Sequence, residues 1–428
     1  MREVDCDILV VGGGPAGLSA AYGAARALGS RGRVVLVHRD RRFGYPVRTS
    51  GGSWAFHLKE LGIPEHLWHT LTGARFASPN EVAHTVLRPE DPAVSLDVTA
   101  TYEYLAELAK QSGAEVLAGM RFVGCEALGG FEVEQLGFDA WPEGGFVSEV
   151  RAVDGDEVVR VRSRLIVDAS GSARAVTGPL VLQKRAVRYG VGAEYEVENL
   201  SEDQRLCLLL VGKKYCPAGY GWALPTKAGT VRVGVGVLQP DVKVKPGPLL
   251  DELMVSGWLE RLGLRCGKVI EKHVGVLPSE RPNERCVFGP VVCVGDTAMQ
   301  ALPLIGEGIR YCIEAGREAG RACAAAALLV RDDRGEDAGV EATKRLREYE
   351  RWWRVKHGRA FDLTWRMNVR IARFTDDEWD RVTRVMKGLS PESVAKGLRG
   401  EVGAWDLVRF AMTKPRMAVE FGRSLLGV

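Results

Sequence analysis

The chain has 428 residues, 46% of them hydrophobic and 26% charged, with a net charge of +3. That length suits two or three domains with substantial cores, and the composition is that of an ordinary globular protein. The near balance of charge gives no support to nucleic-acid binding, and nine scattered cysteines without a C-x-x-C pair point to buried thiols in a reducing compartment, not to a disulfide framework or a metal site.

Residues 8–11 are an apolar run of the kind a strand buried on both faces produces. Gly12, Gly14 and Gly17 follow in G-x-G-x-x-G spacing with Pro15 and Ala16 between them, and an Ala- and Leu-rich helix is predicted over 16–28. The first glycine permits the tight turn, the second lets backbone approach a pyrophosphate, and the third lets helix lie on strand. The helix N-terminus offers unpaired N–H groups to the phosphates. Strand, glycines and helix in that order mark a dinucleotide site. A second parallel strand at 33–37 completes a β-α-β unit. An acidic residue is usual at its end, for the ribose hydroxyls. Here His38, Arg39 and Asp40 stand instead, so His38 is the candidate ribose contact, with Asp40 as its substitute.

The loop at 43–54 carries Tyr45-Pro46, Arg48 and Ser50-Gly51-Gly52, residues that turn a chain and approach ligands. Arg48, Ser50 and Gly51 are candidate cofactor contacts. Residues 54–71 read as two short helices broken at Gly62 and Pro64, 103–112 as a helix, 114–117 as a strand and 121–163 as a β-meander. Residues 165–171 read as a buried strand with a tight exit. Strands at 188–197, 206–211 and 230–237 predict an antiparallel sheet. A helix at 246–262 and strands at 270–276 and 286–296 follow, then an Ala-rich helix from about 308 to 330. A charged break at 332–337 precedes an almost wholly helical stretch, 340–428. Within it, 361–374 interleaves apolar and basic residues, which suits a helix packed on its own core or one lying on a membrane surface. No signal-peptide pattern precedes the first strand, and no apolar run reaches the roughly 18 residues of a membrane span. A cytoplasmic protein is expected, with peripheral membrane contact left open.

Three later stretches carry chemistry: 291–309, 167–171, where the chain passes close to the first β-α-β unit, and 220–236. Gly295-Asp296 places a carboxylate at the carboxyl end of a buried strand, where ligands bind in open α/β sheets and where ribityl hydroxyls could be accepted. Gly306 and Gly308, ahead of Ile309 at a helix start, can approach the pyrimidine edge of an isoalloxazine and donate N–H groups to it. Tyr220-Gly-Trp222-Ala-Leu-Pro225 is followed by Gly234-Val-Gly236. With these motifs in this order, the chain resembles the FAD-dependent oxidoreductases of the para-hydroxybenzoate hydroxylase fold, and within them the geranylgeranyl reductase family, over about residues 4–325.

The resemblance implies an α/β protein: a Rossmann-like FAD-binding domain with a parallel sheet (1–185 and 270–330), an antiparallel-sheet substrate domain (186–269) and a helical C-terminal region (331–428). It implies that Ala16 lies with the glycines at the pyrophosphate and that Val123 meets the adenine end through its backbone. Asp296, Gly308 and Ile309 would hold the ribityl and ring portions, and Tyr220, Trp222 and Pro225 would line the prenyl chamber. Two departures from the family stand out: Val47-Arg-Thr-Ser-Gly-Gly52 replaces a cysteine-bearing motif, and no arginine precedes the helix at 103. The implied reaction is hydride transfer from reduced flavin N5 to C=C bonds of isoprenoid chains on lipids or quinones. The reductant would be NAD(P)H or a ferredoxin-type donor, and Tyr220, or a water held by Glu307 or Arg48, would supply the proton. A flavin monooxygenase, or an electron-transfer flavoprotein feeding a quinone, are the alternatives. No metal site is expected.

Overall fold

The computed structural model describes residues 2–86, 91–180, 182, 185–332 and 336–402. One layer is a six-stranded sheet in the order Val287–Phe288, Val291–Cys293, Leu165–Asp168, Ile8–Val11, Val34–His38, Glu115–Ala118. Its pairings are parallel except for the hairpin at the edge. Ile8, Leu9, Val10 and Ile166 have no accessible surface, as expected where helices cover both faces. Helix Pro15–Leu28 opens with a proline at its first turn, where an N–H has no helical partner anyway. It lies close against helix Ile309–Asp332. A Cβ on Gly316 or Gly320 would come within 2.2 Å of the Ala16 or Ala20 carbonyl oxygen, so these glycines set the separation of the two axes.

The second layer is a seven-stranded sheet in the order Cys266–Pro278, Tyr189–Asn199, Thr230–Gln239, Gly219–Pro225, Leu206–Leu210, Gly73–Ala77, Val82–Val86. It is antiparallel save where Leu206–Leu210 runs alongside Gly73–Ala77. Val231, Val233 and Val235 pack with Leu250, Leu253 and Trp258 of the helices at 246–261. The even-numbered residues of that strand therefore face the other way. That second face is where the site lies. Sheets of three strands (Gly52–Trp54, Ala93–Leu96, Trp68–Thr70) and four strands (Arg2–Asp5, Val158–Ser163, Phe146–Ala152, Met120–Ala127) flank the layers. Helices Glu336–Ile371, Asp376–Lys387 and Pro391–Arg399 close the assembly.

Several elements depart from the sequence reading. The second helix expected before residue 71 is one 3₁₀ turn, Glu65–Leu67, after Gly62 turns at φ 66° and Pro64 follows; the chain then runs as strand Trp68–Thr70 and pairs with Ala93–Leu96. The helix expected at 103 begins at Val98. The Asp97 carboxylate caps the Ala100 N–H at 3.0 Å, which outweighs the weak helix propensity of Val98, Thr99 and Thr101. Residues 286–296 are two short strands turning at Gly289, φ 52°. The helix at 246–262 breaks at Gly257. Residues 73–86, which the sequence reading leaves in the nucleotide-binding part, add two strands to the antiparallel sheet. Residues 333–335 of the charged break at 332–337, and all of residues 403–428, fall outside the described residues.

Candidate active site

A cavity of about 960 Å³ runs between the carboxyl ends of the parallel strands, the open face of the antiparallel sheet and the C-terminal helices. Gly14, Pro15, Ala16, Asp296 and Gly308 form one part of its wall, and Tyr220, Trp222, Met367 and Phe374 belong to another. One continuous space therefore joins the glycine loop to an apolar chamber.

At the glycine loop, the three motif glycines do different work. A Cβ on Gly12, where φ is +114°, would sit 2.2 Å from the Ala169 carbonyl oxygen; one on Gly17 would sit 1.9 Å from the Gly12 oxygen. These two pack the strand–helix junction and do not line the cavity. Gly14 does line it, and a Cβ there would meet nothing within 4 Å. That is the cradle a pyrophosphate would occupy. Asp296 stands beside it on a turn whose Gly295 presses against the Ala16 side chain. Desolvation alone raises the Asp296 carboxyl to about 6, which marks an acceptor lacking the donors that hydroxyl groups of a ligand would bring.

His38 takes a role different from the ribose contact expected of it. Its Nδ1 accepts the Gly13 N–H at 3.0 Å and its ring stacks on Phe43. Burial lowers its pKa to about 4, so the ring is neutral, and its Nε2 faces Asp40 at 3.5 Å. His38 braces the glycine loop from behind. Asp40 in turn holds Arg48 at 2.8 Å, and Arg48 and Ser50 line the cavity. Gly51 lies behind them, at φ 76° against Leu96 and Val98, and shapes the loop without reaching the cavity. Val123 is also outside the wall, on strand Met120–Ala127. There the ladder steps from Phe122 to Gly124, leaving Val123 without a cross-strand partner and its backbone groups available.

The open face of the antiparallel sheet is built in rows. Gly275, Gly192, Gly236 and Tyr220 stand in one cross-strand row, and His273, Glu194, Gly234 and Trp222 in the next. The missing side chains of the first row give the cavity its floor. A Cβ on Gly275 would lie 2.3 Å from the Arg48 carbonyl oxygen, so the 48–51 loop rests on that floor. The Trp222 indole lies across Gly234 and Gly236 and donates its Nε1–H to Glu194 at 2.6 Å.

Three expectations about proton donors and lining residues change. The Tyr220 hydroxyl donates to the Ile305 carbonyl, and burial pushes its phenol well above the ordinary range, so it fixes the turn ahead of Gly306 instead of offering a proton. Tyr220→Phe is expected to keep catalysis within about threefold and cost about 1 kcal/mol, the worth of one hydrogen bond; chemical denaturation and single-turnover rates check this. Glu307 accepts from Ser53 at 2.8 Å and from Arg310 at 2.9 Å in a buried ion pair. It is not part of the cavity wall. Pro225 is buried and is not part of that wall either. Conversely, a cysteine does reach the cavity: Cys312 lines it near Asp296, with burial holding the thiol protonated. Tyr102, Glu194 and His273 also line it and were not singled out from sequence. The helix with the interleaved 361–374 segment turns Leu363, Met367 and Ile371 to the cavity. Among the described residues, no helix is long and apolar enough to cross a membrane.

Residues 189–276 match the model of the geranylgeranyl reductase catalytic domain, and residues 7–195 that of FAD-dependent oxidoreductases. A digeranylgeranylglycerophospholipid reductase of Methanocaldococcus jannaschii is 27% identical over the whole of both chains. One of Methanothermobacter thermautotrophicus is 28% identical over 91% of this chain and 94% of that one. Among solved structures, a geranylgeranyl bacteriochlorophyll reductase-like protein of Thermoplasma acidophilum superimposes with a TM-score of 0.79, at 21% identity over 99% of this chain and 100% of that one.

Proposed function

We propose, from the premise that this chain belongs to the geranylgeranyl reductase family of FAD-dependent oxidoreductases, that it saturates C=C bonds in isoprenoid chains borne on lipids or quinones. The observation that carries this reading is the continuity of the cavity: the glycine loop and Asp296 open into the same apolar space as Tyr220, Trp222 and the C-terminal helices. A cofactor with a polar nucleotide end and a redox ring, beside a long hydrocarbon, fits such a space.

In this reading Gly14, Pro15 and Ala16 hold the pyrophosphate and Asp296 accepts the ribityl hydroxyls. Gly306, Gly308 and Ile309 hold one edge of the ring, with Arg48 and Ser50 on the loop facing it. The backbone of Val123, which has no cross-strand partner, would meet the adenine end. When bound and reduced, the flavin supplies hydride. The chain's own share is to orient an alkene over the glycine floor, exclude water and deliver a proton. NAD(P)H or a ferredoxin-type donor is the expected reductant, and lipid-borne substrates would be drawn from a membrane surface.

Asp296 gives a pH test. Its carboxyl titrates near 6 in the cofactor-free protein, and donated hydroxyls favour the charged form, so FAD binding releases a proton below that pH. Affinity should weaken as pH falls through about 6, and Asp296→Asn should flatten the dependence. By the same linkage, the raised carboxyl costs the cofactor-free fold stability as pH rises from about 4 to 6. Flavin titrations across pH 5–8 check the binding half. For the activity itself, dithionite-reduced protein is incubated anaerobically with geranylgeranyl lipids. The product should gain two hydrogens per reduced bond. Inertness towards every prenyl lipid, with rapid oxygen-driven hydroxylation instead, would replace this reading with a monooxygenase.

A further inference from the structure

Each saturated double bond consumes a proton as well as a hydride, yet the chamber is lined mainly by hydrocarbon. The Tyr220 hydroxyl is committed to the Ile305 carbonyl, and Glu307, whose Oε1 accepts from Ser53 and Arg310 while its Oε2 meets no donor, is not part of the cavity wall. A different group must bring the proton in.

The cross-strand rows of the antiparallel sheet place three titratable residues in line. On strand Cys266–Pro278, Glu271 and His273 share a face, and Glu194 is the direct cross-strand neighbour of His273. His273 Nδ1 is hydrogen-bonded to Glu194 at 2.9 Å, and the Glu271 carboxylate lies 3.1 Å from His273 Nε2 as an ion-pair contact that is not aligned as a hydrogen bond. Side-chain exposure falls from 36% at Glu271 to 3% at His273 and 5% at Glu194. Glu194 and His273 line the cavity; Glu271 stands outside its wall. The second oxygen of Glu194 accepts the Trp222 N–H, which fixes the carboxyl against the chamber.

The surrounding charges leave this line intact. Glu196 faces His273 but is bound by Thr230 at 2.6 Å and Arg232 at 3.1 Å. Arg232 also donates to the carbonyls of Ser50 and Leu96. Arg48, on the loop lying over Gly275, is paired with Asp40. Lys272 lies over the Tyr195 ring. Burial works against a charged imidazole, but the hydrogen bonds and charges of Glu194 and Glu271 outweigh it, and His273 keeps its proton above the ordinary histidine range.

We propose that Glu271, His273 and Glu194 form the proton path from solvent into the cavity, with Glu194 the catalytic acid and Trp222 its positioning residue. The proposal rests on the reductase reading above. With hydride supplied to one alkene carbon by the bound, reduced flavin as the π bond breaks, the proton that His273 holds at Nδ1 passes to the Glu194 carboxylate and from it to the other carbon. The neutral imidazole then turns its bare nitrogen towards Glu271 and recovers there a proton delivered from water. The product carries two new C–H bonds, and the flavin is left oxidised by two electrons.

The test uses the FAD-loaded protein and E194Q, a variant that preserves the acceptor for Trp222. In anaerobic single turnover with a geranylgeranyl lipid, E194Q should slow alkene reduction by about 10²-fold or more, the usual worth of a positioned acid. Its FAD content, and the rate at which ferricyanide reoxidises its reduced flavin, should match wild type. In the oxidised holoenzyme, ¹⁵N-histidine NMR should show the His273 signals, identified by their loss in H273N, titrating above the normal range. That titration should move down in E194Q and E271Q. A wild type active on prenyl lipids with E194Q equally fast overturns the path alone. So does a His273 titration indifferent to both glutamates. A wild type inactive on every prenyl lipid overturns the reductase reading and the path together.

Discussion

Gly14→Ala is expected to strip the protein of its flavin while leaving the fold almost untouched. Gly14 caps helix Pro15–Leu28 with φ −76° and ψ 179°, a conformation open to any residue. A Cβ there meets no protein atom within 4 Å. The added methyl projects into the cavity at the place proposed for the pyrophosphate, and it would part the phosphates from the helix N–H groups. Losing two such charge-assisted hydrogen bonds is worth about 3–6 kcal/mol, or roughly 10²- to 10⁴-fold in affinity. Gly12→Ala makes the contrast. At φ +114° and 2.2 Å from the Ala169 carbonyl, its methyl must strain the backbone and pry apart strands Ile8–Val11 and Leu165–Asp168. The strain alone costs about 1–3 kcal/mol, so this variant should melt at a distinctly lower temperature as well as bind poorly. Melting curves of both cofactor-free variants, set beside flavin titrations, separate the two effects. Flavin bound by Gly14→Ala at wild-type affinity would show that the pyrophosphate lies elsewhere.

The contrast also marks where the sequence can be read and where it cannot. Chemistry carried by neighbours along the chain was legible: the strand, glycines and helix of residues 8–28 are one local unit, and the Gly-Asp at 295–296 ends a strand that periodicity reveals. Chemistry assembled across strands was not. Gly192, Gly236 and Gly275 form a floor only because three strands distant in sequence align in register, and each glycine alone reads as a weak spot in a strand. Glu194 and His273 are 79 positions apart and share no motif. His38 misleads for the opposite reason: it occupies the position of a ribose acid but spends its acceptor on the Gly13 N–H. Glu307 likewise sits between two cavity-lining glycines, yet the bridge pairs it with Leu302 and its side chain meets Arg310. Side-chain direction within a turn leaves no periodic trace.

Val385→Trp should then separate a substrate chamber from an ordinary packing defect. Val385 is buried on helix Asp376–Lys387, lines the cavity, and lies on an element that meets the antiparallel sheet near Phe76 and Val211. In a filled core a Val→Trp exchange overpacks and costs about 1–3 kcal/mol. In a cavity kept open for a hydrocarbon, the indole takes the place of the ligand, and cavity filling commonly stabilises by about 0.5–2 kcal/mol. The melting temperature should therefore hold or rise while turnover of a twenty-carbon prenyl lipid falls by about 10- to 100-fold, equivalent to roughly 1.4–2.7 kcal/mol of lost transition-state binding. A ten-carbon prenyl substrate, too short to reach the helix, should lose less than about threefold, and flavin content should stay at the wild-type level. Chain-length profiles of kcat/KM beside melting curves decide the matter. A variant that is destabilised, and equally impaired on both substrates, would return this end of the cavity to the core and confine the isoprenoid to the glycine floor beneath Arg48.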